Sequence, residues 1–597
     1  MSAASNYSDQ LSEKARTEMQ VAPIHLSNSK DKSSLGKTDA FVERRPPEQV
    51  CKLDRMGAAF PTRLSFMRLL LRRMSVEGWQ MERGQFELND DGYGTAVYTA
   101  HLPDRAYSLV AFANPLADED RTDRVIASAW DAAFVLFDGV PSSADIDRLG
   151  AQAPLQEAGR FEATDLVISR ANRSLRLFEY VCDCLARGAQ PEANRLNEVG
   201  YLMRTTAVYG NGKFGISDRS RIASRDETQN SFQAEMLTVF LIRQFTFDQL
   251  EHIASRRAGG AAVALAPALK RSLGIGNATG LGMAPFVVSH PELLHHWFNA
   301  RERAIARVRS IEDISPDEVK RALELQQRAY QHVTEWQTSD ADYQQRNQGL
   351  LQDLLEIRHW LERVDEAQRA GQLWDALFRH GETVFGLDGQ ELLGALLIEI
   401  YPEVVEGLGE MFHVDDPEPL WITETVGATL ERLNAQYGWT DDFDFSAESQ
   451  SAHFWYVSEN KLEPRFGRRA EEPGADQEMP VAIARDMAAF RLALARSDPE
   501  QSLMAFLQDH PEYRHLARRA QSLENYPYAE IRDNLIAEGC SPLDILRFKL
   551  ACFGAAKFDP KSSLWTRITM YQGAPLMNEL DQPWADDWWL SVAPQDG

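Results

Sequence analysis

No uninterrupted apolar run in this 597-residue chain approaches the roughly 18–20 residues that a membrane-spanning helix needs. The first residues also lack the apolar stretch of a signal peptide. Cysteine is scarce: Cys51, Cys182, Cys184, Cys540 and Cys552 are the whole set. An odd, sparse set argues against a disulfide framework and for a reducing compartment, so a cytoplasmic location is expected. Cys182 and Cys184 lack the spacer of a redox or zinc motif and read as buried thiols. Basic charge is short as well. There are 63 Lys and Arg against 89 Asp and Glu, for a net charge of −26. Neither nucleic acid nor membrane is therefore an expected partner, since phosphate contacts need clustered cations. No Gly-x-Ser-x-Gly elbow, His-Glu-x-x-His pair, Walker A loop or kinase signature occurs. No repeat of fixed period is found either.

The remainder is ordinary for a globular protein, 44% hydrophobic and 25% charged, with material for sizeable cores. Residues 1–55, rich in Ser, Lys, Asp and Glu, predict a disordered or extended arm. Residues 56–170 predict an α+β subdomain: an amphipathic helix at 64–74, then strands at 78–88, 95–101, 107–113 and 132–137. The Asn89-Asp90-Asp91-Gly92 run is strong turn chemistry between the first two. Residues 167–172 are a further strand candidate that would close the sheet. Helical periodicity then takes over. The reading is a helical core with glycine-rich loops at 171–310 and a helical bundle at 311–440. A helical region at 441–597 follows, with a late strand at 565–571 and a Trp-rich tail. Helices are expected at 173–186, 192–208, 232–250, 291–309 and 315–336, among others. The fold class that follows is α+β, predominantly α-helical, with a small antiparallel sheet near the N-terminus and a large helical body.

Two stretches gather glycine, amide, hydroxyl and cationic groups. Residues 204–215 hold Arg204, Tyr209, Gly210, Asn211, Gly212, Lys213 and Gly215. Their glycines let the backbone approach a ligand, and successive N–H groups in such a turn form an anion nest. A Gly-Asn-Gly run is equally a common helix stop. Residues 273–286 hold Gly274, Gly276, Gly280 and Gly282, with Asn277 and Thr279 among them. The spacing is neither the dinucleotide fingerprint nor a P-loop. So much glycine is costly to order, which implies close backbone approach to a ligand or to another segment.

If the two stretches share a pocket, Arg204, Asn211, Lys213, Asn277 and Thr279 bind the anion, and Tyr209 or Glu235 is the acid/base candidate. Glu235 and Arg243 lie on a helix that is apolar on nearly every face, so each needs a partner. Lys461 and Arg465, from an aromatic and Arg-rich segment at 454–469, either reach in as anion clamps or pair with the acidic loop at 471–478. Glu-x-x-His recurs at Glu292/His295, Glu356/His359, Glu410/His413 and Glu512/His515. Carboxylate-bridged metal bundles use that spacing, and so do routine surface pairs. No stoichiometric metal is expected.

The functional expectation is an enzyme acting on a small anionic metabolite without a nucleotide cofactor, as a lyase, isomerase or hydrolase. The alternatives are a metal-dependent oxidoreductase built on the Glu-x-x-His pairs and a non-catalytic scaffold or regulator. Self-association is left open by the tail, where Trp584, Trp588 and Trp589 stand between aspartates.

Overall fold

The computed structural model describes residues 43–594 except 118, 121–128, 154–161, 210–221, 223, 278–290, 337, 339–340, 413–418, 443–452, 458–463, 469–479, 531–541, 555–556 and 563–564. An antiparallel meander forms first: β1 (Gln80–Leu88), β2 (Gly94–His101), β3 (Ala106–Ala113), β4 (Ala132–Asp138) and β5 (Asp165–Arg173). The β1–β2 turn is set by Asn89, whose side-chain oxygen accepts the N–H groups of Asp91 and Tyr93 at 3.1 and 2.9 Å. Gly92 follows at φ +78°, a conformation that favours glycine. Alternation along each strand gives the sheet two apolar faces. Ala96, Tyr98, Leu109, Phe134 and Leu136 join the main core, while Val97, Val110, Val135 and Ile168 meet Leu149 and Ala153 on the other side.

The sheet is larger than the small unit expected from residues 78–140. It has nine strands, in the order β1-β2-β3-β4-β5-β6-β7-β11-β10. Residues 167–172 do not close it, because β6 (Tyr201–Tyr209) pairs beyond β5. The helix expected at 192–208 is instead a short helix, Ala193–Asn197, followed by β6. Gly200 at φ +79° ends the helical turn. The aromatic and β-branched residues that follow suit a strand. β7 (Gly274–Asn277) lies parallel to β6. The late hairpin β10 (Lys557–Ser562) and β11 (Trp565–Met570) returns to pair with β7, so a strand from the end of the chain joins the early sheet. A separate two-stranded sheet holds β8 (His453–Val457) and β9 (Pro464–Arg468).

About 55% of the protein is helical, and the class is α+β with a helical body. Its helices include α1 (Phe66–Val76), α2 (Ser143–Gln152), α3 (Gln233–Ala258) and α4 (Pro291–Arg309). Beyond them stand α5 (Pro316–Thr334), α6 (Ala341–Glu362), α7 (Leu387–Ile400) and α8 (Pro542–Phe553). α3 lies across the core face of the sheet, touching β2 to β7. Its N-terminal two-thirds is buried nearly all round, as its apolar sequence demands. α2 covers the opposite face of the meander. No helix among the described residues is long and apolar enough to cross a membrane.

The described part of the expected arm packs inward. Arg45 is buried and pairs with Glu302 of α4 and Glu391 of α7, each at 2.7 Å, and Val50 and Cys51 are fully buried. The tail docks on its own chain. Trp588 and Trp589 are buried, and the Trp589 indole donates to the Pro61 carbonyl at 2.9 Å.

Candidate functional site

β6 and β7 run side by side in the same direction, with Arg204 opposite Gly276 and Thr205 opposite Asn277. Tyr209 ends β6, and Asn277 ends β7. Both glycine-rich stretches therefore leave from neighbouring strands at one end of the sheet. Asn211, Lys213 and Thr279 lie outside the described residues, as do the segments 210–221 and 278–290.

The two described glycines of the second stretch have a structural cause. A Cβ on Gly274 would stand 2.2 Å from the Met570 carbonyl of β11, and one on Gly276 would stand 2.6 Å from the ring of Tyr201. The close approach is to another segment of the same sheet, one of the two causes weighed from the sequence. Instead of opening a loop, residues 274–277 form β7; the rest of the stretch lies outside the described residues.

Arg204 is buried at 3% exposure and stands between Asn172 of β5 and Gly276 of β7 in the ladder. Met203 and Ala171 join the main core beneath α3, so alternation turns Arg204, Asn172 and Arg170 toward the face away from α3. Arg170, which the sequence reading passed over, is also buried, with its guanidinium 4.4 Å from the Trp130 ring centre. The Asn172 amide is committed to structure: it accepts the Asp131 N–H at 2.9 Å and donates to the Ala129 carbonyl at 3.1 Å.

The chain re-enters the fold at this same end through a polar cluster that the sequence did not disclose. Arg225 grips Asp138, the last residue of β4, with two bonds of 2.8 and 2.7 Å. It also donates to the Tyr107 hydroxyl at 3.1 Å. That hydroxyl donates to Glu227 at 2.5 Å, and Arg105 pairs with Glu227 at 3.2 Å. Burial, then the bond to Glu227, pushes the Tyr107 hydroxyl up to about 12. The bond to Asp138 raises Arg225 above its ordinary value. Read locally, residues 225–227 look like a solvated charged turn. Only the pairing of β3 with β4 brings Tyr107 and Asp138 together to receive them.

Glu235 sits in the first turn of α3 and is buried. Arg243, two turns on, does not face a ligand. Its guanidinium donates to the carbonyls of Leu273, Pro575, Lys270, Arg271 and Ala574 at 2.8–3.2 Å. It thereby clasps the entry to β7 and the exit from β11, and burial lowers it to about 9. Lys461 lies outside the described residues. Arg465 stands in β9 opposite Tyr456, and no described strand pairing brings it to β6 or β7.

The Glu-x-x-His pairs are dispersed. His295 uses its Nδ1 to accept the Tyr528 N–H at 3.1 Å, Glu356 lies 3.8 Å from His380, and Glu512 lies 3.5 Å from His510. His413 is outside the described residues. Among the described residues no three His, Cys, Asp or Glu side chains are grouped to hold a metal ion. No protein family, curated protein or solved structure matches the chain, so the geometry of the site alone carries its interpretation.

Proposed function

We propose that this protein is an enzyme acting on a small anionic metabolite without a nucleotide cofactor, bound at the sheet end where β6 and β7 stop. One observation carries the reading: the two stretches singled out for anion contacts leave from adjacent parallel strands. In open sheets, ligands collect beyond the carboxyl ends of parallel strands. Arg204 on β6 supplies buried positive charge beside that end. Lys213, Asn211, Asn277 and Thr279 follow or end the two strands in sequence. Tyr209, the last residue of β6, and Glu235, in the first turn of α3, are the acid/base candidates. The reaction is a lyase, isomerase or hydrolase step, since the residues in hand are proton-transfer and anion-binding groups.

The test is titration calorimetry of the full chain with inorganic phosphate and with small mono- and dicarboxylates. Lys213→Ala should weaken binding by about tenfold or more and leave thermal stability unchanged, as a substitution that removes a ligand contact and no fold contact does. Arg204→Lys should also weaken binding, since lysine lacks the two-pronged grip of a guanidinium. Equal binding by wild type and both variants would overturn the site.

A further inference from the structure

At the start of β7, away from its Asn277 end, segments distant in sequence enclose a small cavity. Its volume is about 10 Å³, room for one water-sized group. Ser272 lies just before β7 and Gln572 just after β11; His332 and Glu335 come from the end of α5, and Ser591 from the docked tail. Gln572 is 6% exposed, and its Oε1 has no hydrogen-bond partner. A buried amide oxygen in that state costs free energy unless a bound group answers it. The backbone that carries Gln572 and Ser591 in is strained. Tyr571, before Gln572, stands at φ +62°, and Leu590, before Ser591, at φ +44°. Such outliers persist where their surroundings hold them. Here the Tyr571 hydroxyl donates to the Met236 carbonyl at 2.9 Å, and its ring stacks on Trp588.

Several donors of the lining are already spent. The Ser272 hydroxyl donates to the Leu269 carbonyl at 2.8 Å, and the Ser591 hydroxyl to the Gln572 carbonyl at 3.4 Å. His332 donates from Nδ1 to the Ser591 carbonyl at 2.8 Å, so Nε2 is the acceptor of its neutral ring. The lining is thus rich in acceptors: the Gln572 Oε1, the Glu335 carboxylate and the lone pairs of two serine hydroxyls. It also lies at the C-terminal end of a 19-residue helix, where the dipole favours a cation. Neighbouring arginines are engaged by carboxylates. Arg547, 5.6 Å from the ring centre of Trp336 in the same lining, is held by Asp388, and Arg271, next to Ser272, by Glu579 at 2.6 Å.

We infer that this cavity binds a primary ammonium group, as the ammonium ion or as the head of a small amine. Such a group is the size of the space, carries charge opposite to Glu335 and has only donors to offer. A water would bring its own lone pairs into a lining of acceptors. The site is independent of the anion proposed above.

Thermal unfolding of the full chain tests this, with sodium replaced at constant ionic strength by ammonium, methylammonium, potassium or tetramethylammonium. The expected result is a saturable rise in midpoint with ammonium, and none with tetramethylammonium, which is too large and has no N–H. Methylammonium separates the two sources: a rise equal to that with ammonium marks an amine head, and no rise marks the free ion. Gln572→Leu should weaken the response by about tenfold or more. It should not lower the midpoint in sodium alone, because it removes an unpaired buried group. Glu335→Gln should weaken the response likewise and serves if the first variant does not fold. A rise with potassium or tetramethylammonium equal to that with ammonium would overturn the inference, as would a response untouched by both variants. No response to ammonium or methylammonium would assign the space to water alone and overturn it too. Neither of these results would touch the anion site, whose own titrations decide it.

Discussion

Gly276 of β7 lies flat against the ring of Tyr201 on β6, so close that a Cβ on Gly276 would stand 2.6 Å from the ring carbons. Its φ is not in the left-handed region, so the requirement is for space and not for backbone freedom. Gly276→Ala should therefore cost about 1–3 kcal/mol through overpacking, measured by urea denaturation. Tyr201→Leu in the same background should recover part of that loss, because the aliphatic side chain vacates the contact. A Gly276→Ala protein as stable as wild type would show that the ring yields freely.

Asp353 of α6 predicts a rise in stability toward acid. Its carboxylate accepts the Gly386 N–H at 3.0 Å, and a Cβ on Gly389 would stand 2.2 Å from one of its oxygens. Burial first, with Asp388 adding repulsion against the help of that N–H, raises Asp353 from 3.8 to about 6. Between those values the folded state binds more protons than the unfolded chain. Stability contributed by this group is thus present below about pH 4 and lost as pH rises to about 6. Asp353→Asn keeps an acceptor for Gly386 and removes the charge. It should flatten that part of the stability–pH curve and stabilise the protein at pH 7, as read by urea midpoints across pH 4 to 7.

His295 of α4 works in the opposite direction over an overlapping range. Burial, with smaller contributions from His296 and Arg44, lowers it from 6.5 to about 4. Its Nδ1 lone pair is engaged by the Tyr528 N–H. The folded state binds fewer protons in this window, so the stability from neutral His295 is complete above about pH 6.5 and is lost as pH falls toward 4. His295→Asn retains a short acceptor without a titrating ring. Its stability deficit relative to wild type should shrink as pH drops from 7 to 4; a deficit constant over that range would refute the assignment.

The first five strands were legible because each alternates and is bounded by turn chemistry, with Asn89 and Gly92 making the first turn. β6 was not. Residues 201–209 carry Leu, Met, Arg and Ala in a spacing that a helix also accommodates, and only the partners β5 and β7, distant in sequence, decide for a strand. The two glycine-rich stretches stood out locally, but their cause was split. Gly274 and Gly276 answer to Met570 and Tyr201, contacts that no local pattern announces. Arg243 gave a true signal, a buried charge in need of partners. Sequence could not say that those partners would be five carbonyls from segments on both sides of β7 and β11. The tail carried the reverse ambiguity. Its Trp-rich sequence left docking on its own chain or on a partner open, and the arginines that receive it lie more than 250 residues away in sequence, on and before α1 and on α5.

Those arginines give the sharpest stability prediction. Asp586 is shared by Arg63, which touches it directly, and Arg68, 3.3 Å away, with Arg72 at 3.9 Å. Glu399 of α7 is the other carboxylate in the cluster, 3.2 Å from Arg63 and 2.5 Å from Arg68. Three guanidiniums thus face two carboxylates, and Arg63, Arg68 and Glu399 are almost fully buried. Burial opposes the charge on Asp586, but Arg68 and Arg63 prevail and hold its carboxyl below the usual range. Its contribution is therefore present above about pH 4 and lost as pH falls through the lowered value. Asp586→Asn keeps the shape and removes the charge, leaving three buried or half-buried cations against Glu399 alone. Breaking a buried pair from one side costs far more than the pair is worth, about 3 kcal/mol or more. Arg358→Ala, which breaks an exposed pair with Glu362 on α6, is the control and should produce no measurable change. Raising the salt concentration should leave the difference between the two variants largely intact, because buried charges are poorly screened. If Asp586→Asn cost no more than the control, the tail would be held by Trp588, Trp589 and the pairs of Asp587 with Arg321 and Arg328, and the arginine cluster would be tolerant of its own imbalance.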